Sequence, residues 1–187
     1  MSSGPCGEAP ISCFALVTYV PEPLGSFLDD LRRELAPGCL PRAHVTILPP
    51  RPLAAPTGDV IAELAGKTSE LEAFEIEAGA VGTFEQTSVI YLGLAAGRRE
   101  LQRIHDRLNT GLLEFCEPFP YWPHVTLAQD LTSAQVAPIR ALAERRWADF
   151  RGSRSIPVET LSFVQSAENG RWLDLSHLSL RPVPLAR

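Results

Sequence analysis

A mixed α+β fold is what this chain of 187 residues predicts, and three observations lead there. Strand-like and helix-like runs alternate without settling into regular βαβ units. No Gly-rich loop of the kind that cradles phosphates links a strand to a helix. The tripeptide His-Val-Thr occurs twice, each time inside a short apolar run with strand character.

The elements follow in order. Residues 11–20 (ISCFALVTYV) are rich in β-branched and aromatic side chains and stop at Pro21-Glu22-Pro23, as a buried strand would. Residues 25–35 place Phe27, Leu28, Leu31 and Leu35 on a helical stripe, with Ser26 as candidate N-cap and Pro37-Gly38 as terminator. Residues 43–48 form a strand closed by Pro49-Pro50-Arg51-Pro52, and residues 57–71 read as a second helix.

Residues 74–84 and 88–95 are extended runs around a turn near Gln86-Thr87; Phe74 and Ile76 alternating with Glu75 and Glu77 mark a half-exposed hairpin. Residues 98–117 carry Leu101, Ile104, Leu108 and Leu112 at helical period. The turn 118–123 delivers a strand holding the second tripeptide. Residues 132–147 form a helix capped by Thr132 or Ser133 and open to a kink at Pro138. Strands at 156–165 and 172–180, joined by a hairpin turn at Glu168-Asn169-Gly170, close the chain.

The repeated tripeptide carries most of the functional information. A strand repeats every two residues, so His44 and Thr46 project from one face, as do His124 and Thr126. Val45 and Ile47, or Val125 and Leu127, face the opposite way and can enter a core. With Thr at about one residue in twenty, two of four histidines carrying Thr two places on is roughly a one-in-a-hundred coincidence. The plain alternative is that each His sits at a strand edge bonding to backbone and each Thr serves β propensity.

Paired imidazoles suit the opening of a cyclic phosphodiester, which needs a base for the entering water and an acid for the departing oxygen. An unperturbed pKa of about 6.5 keeps both protonation states accessible, and such assistance is worth roughly 10²–10⁴-fold. Threonine hydroxyls can donate to the non-bridging phosphate oxygens where charge accumulates. His44 and His124 are therefore the candidate catalytic pair, Thr46 and Thr126 the candidate phosphate ligands. That arrangement requires no cofactor or metal. A metal site built on the two histidines lacks any HxxxH, HxH or HxD partner.

The stretches HVTIL and HVTLA resemble the paired His-x-Thr-hydrophobic motifs of the two-histidine (2H) phosphoesterase superfamily, which includes bacterial 2′-5′ RNA ligase-like proteins and cyclic phosphodiesterases. The resemblance covers nearly the whole chain. It implies a single domain over residues 1–187, with tails at about 1–9 and 182–187. Two pseudo-symmetric lobes of antiparallel sheet would flank a central cleft, with helices outside. It implies a phosphoesterase acting on a 2′,3′-cyclic phosphate or a 2′-5′ RNA-type linkage, or a ligase running that chemistry in reverse. A non-catalytic nucleotide-binding relative would share the same motifs.

Many relatives carry Arg directly after the second motif, where this chain has Gln129, and an amide cannot supply a guanidinium's charge. Arg42 and Arg51 beside the first motif are candidates to compensate, against the simpler reading of solvated loop charges. Tyr121 and Trp122 precede His124, with Phe119 close by, and could stack on a base or simply pack a rigid proline-rich turn.

A formal charge of −5 argues against bulk electrostatic binding of long duplex nucleic acid. A small nucleotide or RNA-end phosphate needs only local donors. Cys6, Cys13, Cys39 and Cys116 follow no CxxC or Cys/His spacing and read as reduced thiols. The opening MSSGPCGEAP has no basic-then-apolar leader pattern, and no apolar run approaches the roughly 18 residues of a membrane span. The expectation is a cytoplasmic protein without membrane contact, with a monomer favoured.

Overall fold

The computed structural model describes residues 10–38, 42–167 and 171–182. Its strands are β1 (Pro10–Tyr19), β2 (His44–Arg51), β3 (Phe74–Phe84), β4 (Val89–Ala96), β5 (Val125–Ala128), β6 (Ser155–Val158), β7 (Thr160–Ala167) and β8 (Trp172–Ser179). Its helices are α1 (Leu24–Leu35), α2 (Thr57–Thr68), α3 (Arg98–Leu108) and α4 (Ser133–Asp149). The strands make two antiparallel four-stranded sheets, ordered β2-β1-β7-β8 and β5-β4-β3-β6. The α+β, two-lobed expectation holds.

The first tripeptide opens edge strand β2, and the second runs into edge strand β5, with His124 immediately before it. Thr46 pairs with Val17 and His44 with Tyr19 in one sheet; Thr126 pairs with Tyr91 in the other. The two edge strands, β2 and β5, pack against one another. Helices cross between lobes to hold them: α1 lies on β5 and α4, while α3 lies on β2. The main core takes Val45, Ile47 and Leu48 from β2, Val125, Leu127 and Ala128 from β5, and Leu28, Leu31, Leu101, Ile104 and Leu108 from the helices. The period-two reading of both tripeptides therefore gives their true orientation, since Val45, Ile47 and Leu127 are wholly buried.

Several boundaries differ from the sequence expectation. Ser26 is not the N-cap of α1; Pro23 occupies that position, and the carboxylate of Glu22 accepts the Ser26 N–H at 3.1 Å. Strand β2 does not stop at Pro49 but runs through Pro49 and Pro50 to Arg51, which an edge strand tolerates because no neighbour needs those missing donors. Helix α2 ends at Thr68, not 71.

Helix α3 stops at Leu108, not 117. Asn109 turns the chain by accepting the Phe115 N–H at 3.0 Å and donating to the Phe115 carbonyl at 3.2 Å, and Gly111 adopts a left-handed φ of 63° before a short 3₁₀ turn. Leu112 is consequently exposed. The expected single strand at 156–165 is two strands: the chain leaves one sheet at Val158 and enters the other at Thr160. Pro138 sits in a continuous helix, one that Thr132 opens by donating its N–H to the Gln135 carboxamide at 2.9 Å. The expected turn at 168–170 lies outside the described residues.

Candidate active site

A cleft of about 1780 Å³ opens between the lobes, and His44, Thr46, His124 and Thr126 all line it. Each histidine is fixed in the same way. His44 Nδ1 lies 2.9 Å from the carbonyl oxygen of Arg42, and His124 Nδ1 lies 2.6 Å from that of Trp122. A carbonyl oxygen only accepts, so both Nδ1 atoms carry the proton and both Nε2 atoms are the ones left for chemistry. The two rings thus share a tautomer and an anchoring pattern: each is held by the backbone two residues upstream.

Their surroundings differ. His124 sits in an aromatic corner, edge-on to Phe84 at 5.0 Å and to Tyr91 at 5.4 Å, while those two rings stack on each other at 4.2 Å. Tyr91 can lie there because position 82 is glycine; a Cβ on Gly82 would come within 2.6 Å of the tyrosine ring. His44 meets one aromatic, Tyr19, edge-on at 6.4 Å. Burial lowers the pKa of both imidazoles, against the opposing pull of their carbonyl partners; for His44 the charges of Arg32 and His124 lower it further.

Arg42 lines the cleft and orders its first-lobe rim. Its backbone takes a left-handed φ of 104°, which lets its N–H donate to Asp29 at 2.7 Å while its carbonyl holds His44. Its guanidinium lies 3.3 Å over the Tyr19 ring and donates to Asp174 at 2.6 Å. The Tyr19 hydroxyl donates to the other Asp174 oxygen at 2.5 Å. Burial opposes charge on Asp174, yet the Tyr19 and Arg42 donors outweigh it and hold the carboxyl below its usual range. Burial, aided by that carboxylate, raises the Tyr19 phenol.

Arg51 is neither a substrate contact nor a solvated charge. Its side chain is 1% exposed and is spent on Glu117 at 2.6 Å, Asn109 at 2.6 Å and the Leu113 carbonyl at 2.8 Å, behind β2 rather than in the cleft. Glu117 also accepts from His105 Nε2 at 2.9 Å. Tyr121 lines the cleft, but its ring stacks on His105 at 4.1 Å. Trp122 and Phe119 are exposed at the rim, at 42% and 54%, and Arg98 covers one face of the Trp122 ring at 3.9 Å. Gln129 is exposed on the cleft wall and donates to Asp130 at 3.2 Å.

Residues the sequence reading passed over are Tyr19, Phe84, Tyr91 and Arg32. Tyr19 and Tyr91 each stand beside a motif residue in strand register, which no local pattern announces. Among the described residues no three His, Cys, Asp or Glu side chains gather as a metal-ligand set.

Two lobes of antiparallel sheet with a His-x-Thr on each facing edge strand define a 2H phosphoesterase fold. A family model described as the 2′-5′ RNA ligase superfamily matches residues 20–170, and the chain belongs to that family. It is 26% identical over 115 residues to a protein of Geobacillus sp. (strain WCH70) named "Putative phosphoesterase", a match spanning 61% of this chain and 64% of that one. A Geobacillus kaustophilus protein of like name is 23% identical over 85% of this chain and 91% of its own length.

Among solved structures, E. coli LigT complexed with ATP superimposes with a TM-score of 0.64 at 17% identity, covering 92% of this chain and 99% of that one. LigT complexed with 3′-AMP gives 0.63 at 15%, covering 90% of this chain and 97% of that one. The protein TT0787 of Thermus thermophilus gives 0.62 at 20%, covering 91% and 98%. At these identities the likeness speaks for the fold.

Proposed function

We propose that the protein opens 2′,3′-cyclic phosphates or related 2′-5′ RNA-type phosphodiesters, with His44 and His124 as the acid/base pair. The observation that carries this reading is the matched anchoring of both rings through Nδ1, which leaves two Nε2 atoms on one cleft. In the hydrolytic direction one neutral Nε2 takes a proton from water as its oxygen bonds to phosphorus. The opposite Nε2, protonated beforehand, gives its proton to the departing 2′ or 3′ oxygen as the P–O bond breaks. The enzyme ends with its proton on the other histidine and returns by exchange with solvent.

Thr46 and Thr126, one strand period from each histidine, donate to the non-bridging oxygens. Sequestration in the cleft strengthens those bonds. Ligand complexes of a protein sharing this fold, with ATP and with 3′-AMP, support a nucleotide-like substrate.

Ligation is the second reading, and the size of the cleft favours it. At about 1780 Å³ it exceeds the roughly 300–1,000 Å³ typical of a small-molecule site. A second RNA end supplying a 5′-hydroxyl in place of water would use that room.

The test is to incubate the purified protein, with chelator, with the four nucleoside 2′,3′-cyclic monophosphates and to identify the product. Accumulation of one monophosphate isomer supports the reading. No turnover at high protein concentration, with ligand-induced thermal stabilisation intact, reassigns the chain as a binding module.

A further inference from the structure

Arginines are the cations that line the cleft. Arg32 and Arg33 come from α1, Arg42 from the segment before β2 and Arg171 from the segment before β8. Among the described lining residues no other lysine or arginine occurs, and the carboxylates are Asp29, Glu85, Glu117 and Asp130.

Three of those arginines are engaged. Arg33 is paired with Asp30 at 2.5 Å, Arg42 with Asp174 at 2.6 Å, and Arg171 has a partner of its own. Arg32 differs. Its side chain is 11% exposed and its ion pair is a loose one, with an Asp29 oxygen at 3.6 Å, too long for a hydrogen bond. That same oxygen already accepts the Arg42 N–H at 2.7 Å. The Nε of Arg32 is buried with no hydrogen-bond partner among the described residues.

A buried guanidinium donor left unmade is costly, and native structures keep few of them. We propose that Arg32 is a substrate-binding residue, its guanidinium completing its hydrogen bonds on an oxygen of the anionic phosphate group that enters beside His44. This rests on the phosphoesterase reading above and adds the cation which that reading lacks. Glu117 and Asn109 hold Arg51 behind the strand, Asp174 holds Arg42, and Gln129 brings no charge from the other wall. Arg32 and His44 line the same cleft, and the charge of Arg32 is among the causes that lower the His44 pKa.

The experiment compares wild type, Arg32→Gln, Arg32→Lys and the surface control Arg140→Gln, the last an exposed α4 residue paired with Glu144. Inorganic phosphate is titrated by calorimetry, and 2′,3′-cyclic AMP turnover is followed with and without added guanidinium. Loss of a charge-assisted bond predicts roughly 10- to 100-fold weaker phosphate binding for Arg32→Gln and a matching rise in KM. Guanidinium should restore part of it, Arg32→Lys should lie between, and Arg140→Gln should match wild type. Thermal melts of each variant accompany the kinetics.

Wild-type phosphate affinity and KM in a folded Arg32→Gln overturn the proposal while leaving the phosphoesterase reading intact. A large fall in melting temperature with no guanidinium rescue also overturns it, assigning Arg32 to the support of α1. A wild-type protein that neither binds phosphate nor turns over substrate overturns both.

Discussion

The hydroxyl of Tyr121 donates to the carbonyl oxygen of Thr46 at 2.9 Å. A residue on the turn that delivers the second motif thereby holds the strand of the first. Its ring lies nearly parallel to His105, at 7° and 4.1 Å, and His105 is in turn bonded to Glu117 and through it to Arg51. The spacing of the two motifs across the cleft depends on this tie as well as on packing of β2 against β5.

Tyr121→Phe removes the tie and keeps the stack. The expected cost is about 1 kcal/mol, or a fall of roughly 2–4 °C in melting temperature for a chain of this size. Activity should fall by more than stability does, because the two motifs lose their cross-link. Calorimetry and kcat on the same preparation check both.

Arg51→Ala strands Glu117, whose side chain is 9% exposed, and removes a charge that bonds to four groups. Breaking a buried pair from one side predicts about 3–5 kcal/mol of destabilisation. The double variant Arg51→Met/Glu117→Gln should recover part of it, since the uncompensated carboxylate is gone. Urea denaturation measures the two.

Stability should fall on mild acidification for a reason specific to the site. Burial lowers both His44 and His124 in the folded protein, against about 6.5 unfolded. The unfolded chain therefore binds more protons between the two values. Stability is full above about pH 6.5 and is lost as pH falls through the folded-state values. The same depression places the optimum of kcat/KM on the acid side of neutrality. A His44→Gln/His124→Gln variant should show a flatter stability profile as pH falls from about 6.5 through the lowered histidine values. The carboxylates held low, such as Asp174, titrate below that window.

Asp174 acts through Arg42, whose carbonyl orients the His44 ring. Asp174→Asn should lower kcat by up to about 100-fold, the scale of a small misplacement of a reacting group, with KM changed less. Arg42→Lys, which keeps the charge and loses the planar overlay on Tyr19, should give a milder loss of the same kind.

Much of this was legible in the residues themselves. Period-two alternation gave the true faces of both His-x-Thr strands, because Val45, Ile47, Val125 and Leu127 have no alternative to the core. Helical stripes located α1 and α3 for the same reason. The misread boundaries lie where a tertiary partner decides: Asn109 ends α3 through its bonds to Phe115, and residues 156–165 change sheets midway, which a hydrophobic run cannot announce. Arg51 illustrates the limit within the site. Its place beside the motif put it near the chemistry in sequence, but alternation turned its side chain to the core, where Glu117 from a distant turn was waiting. Arg32 escaped notice because a charge flanking the stripe of an amphipathic helix looks like any solvated residue.

The central claim is that His44 and His124 act as one unit on one phosphorus. The measurement that tests it most directly is a double-mutant cycle on 2′,3′-cyclic nucleotide turnover: wild type, His44→Ala, His124→Ala and the double variant, with chelator present. Each single substitution should cost at least about 10²-fold in kcat, and the double should be little worse than either single, as members of one acid/base pair behave. Either single variant turning over at the wild-type rate, or the two losses multiplying in the double, would contradict it.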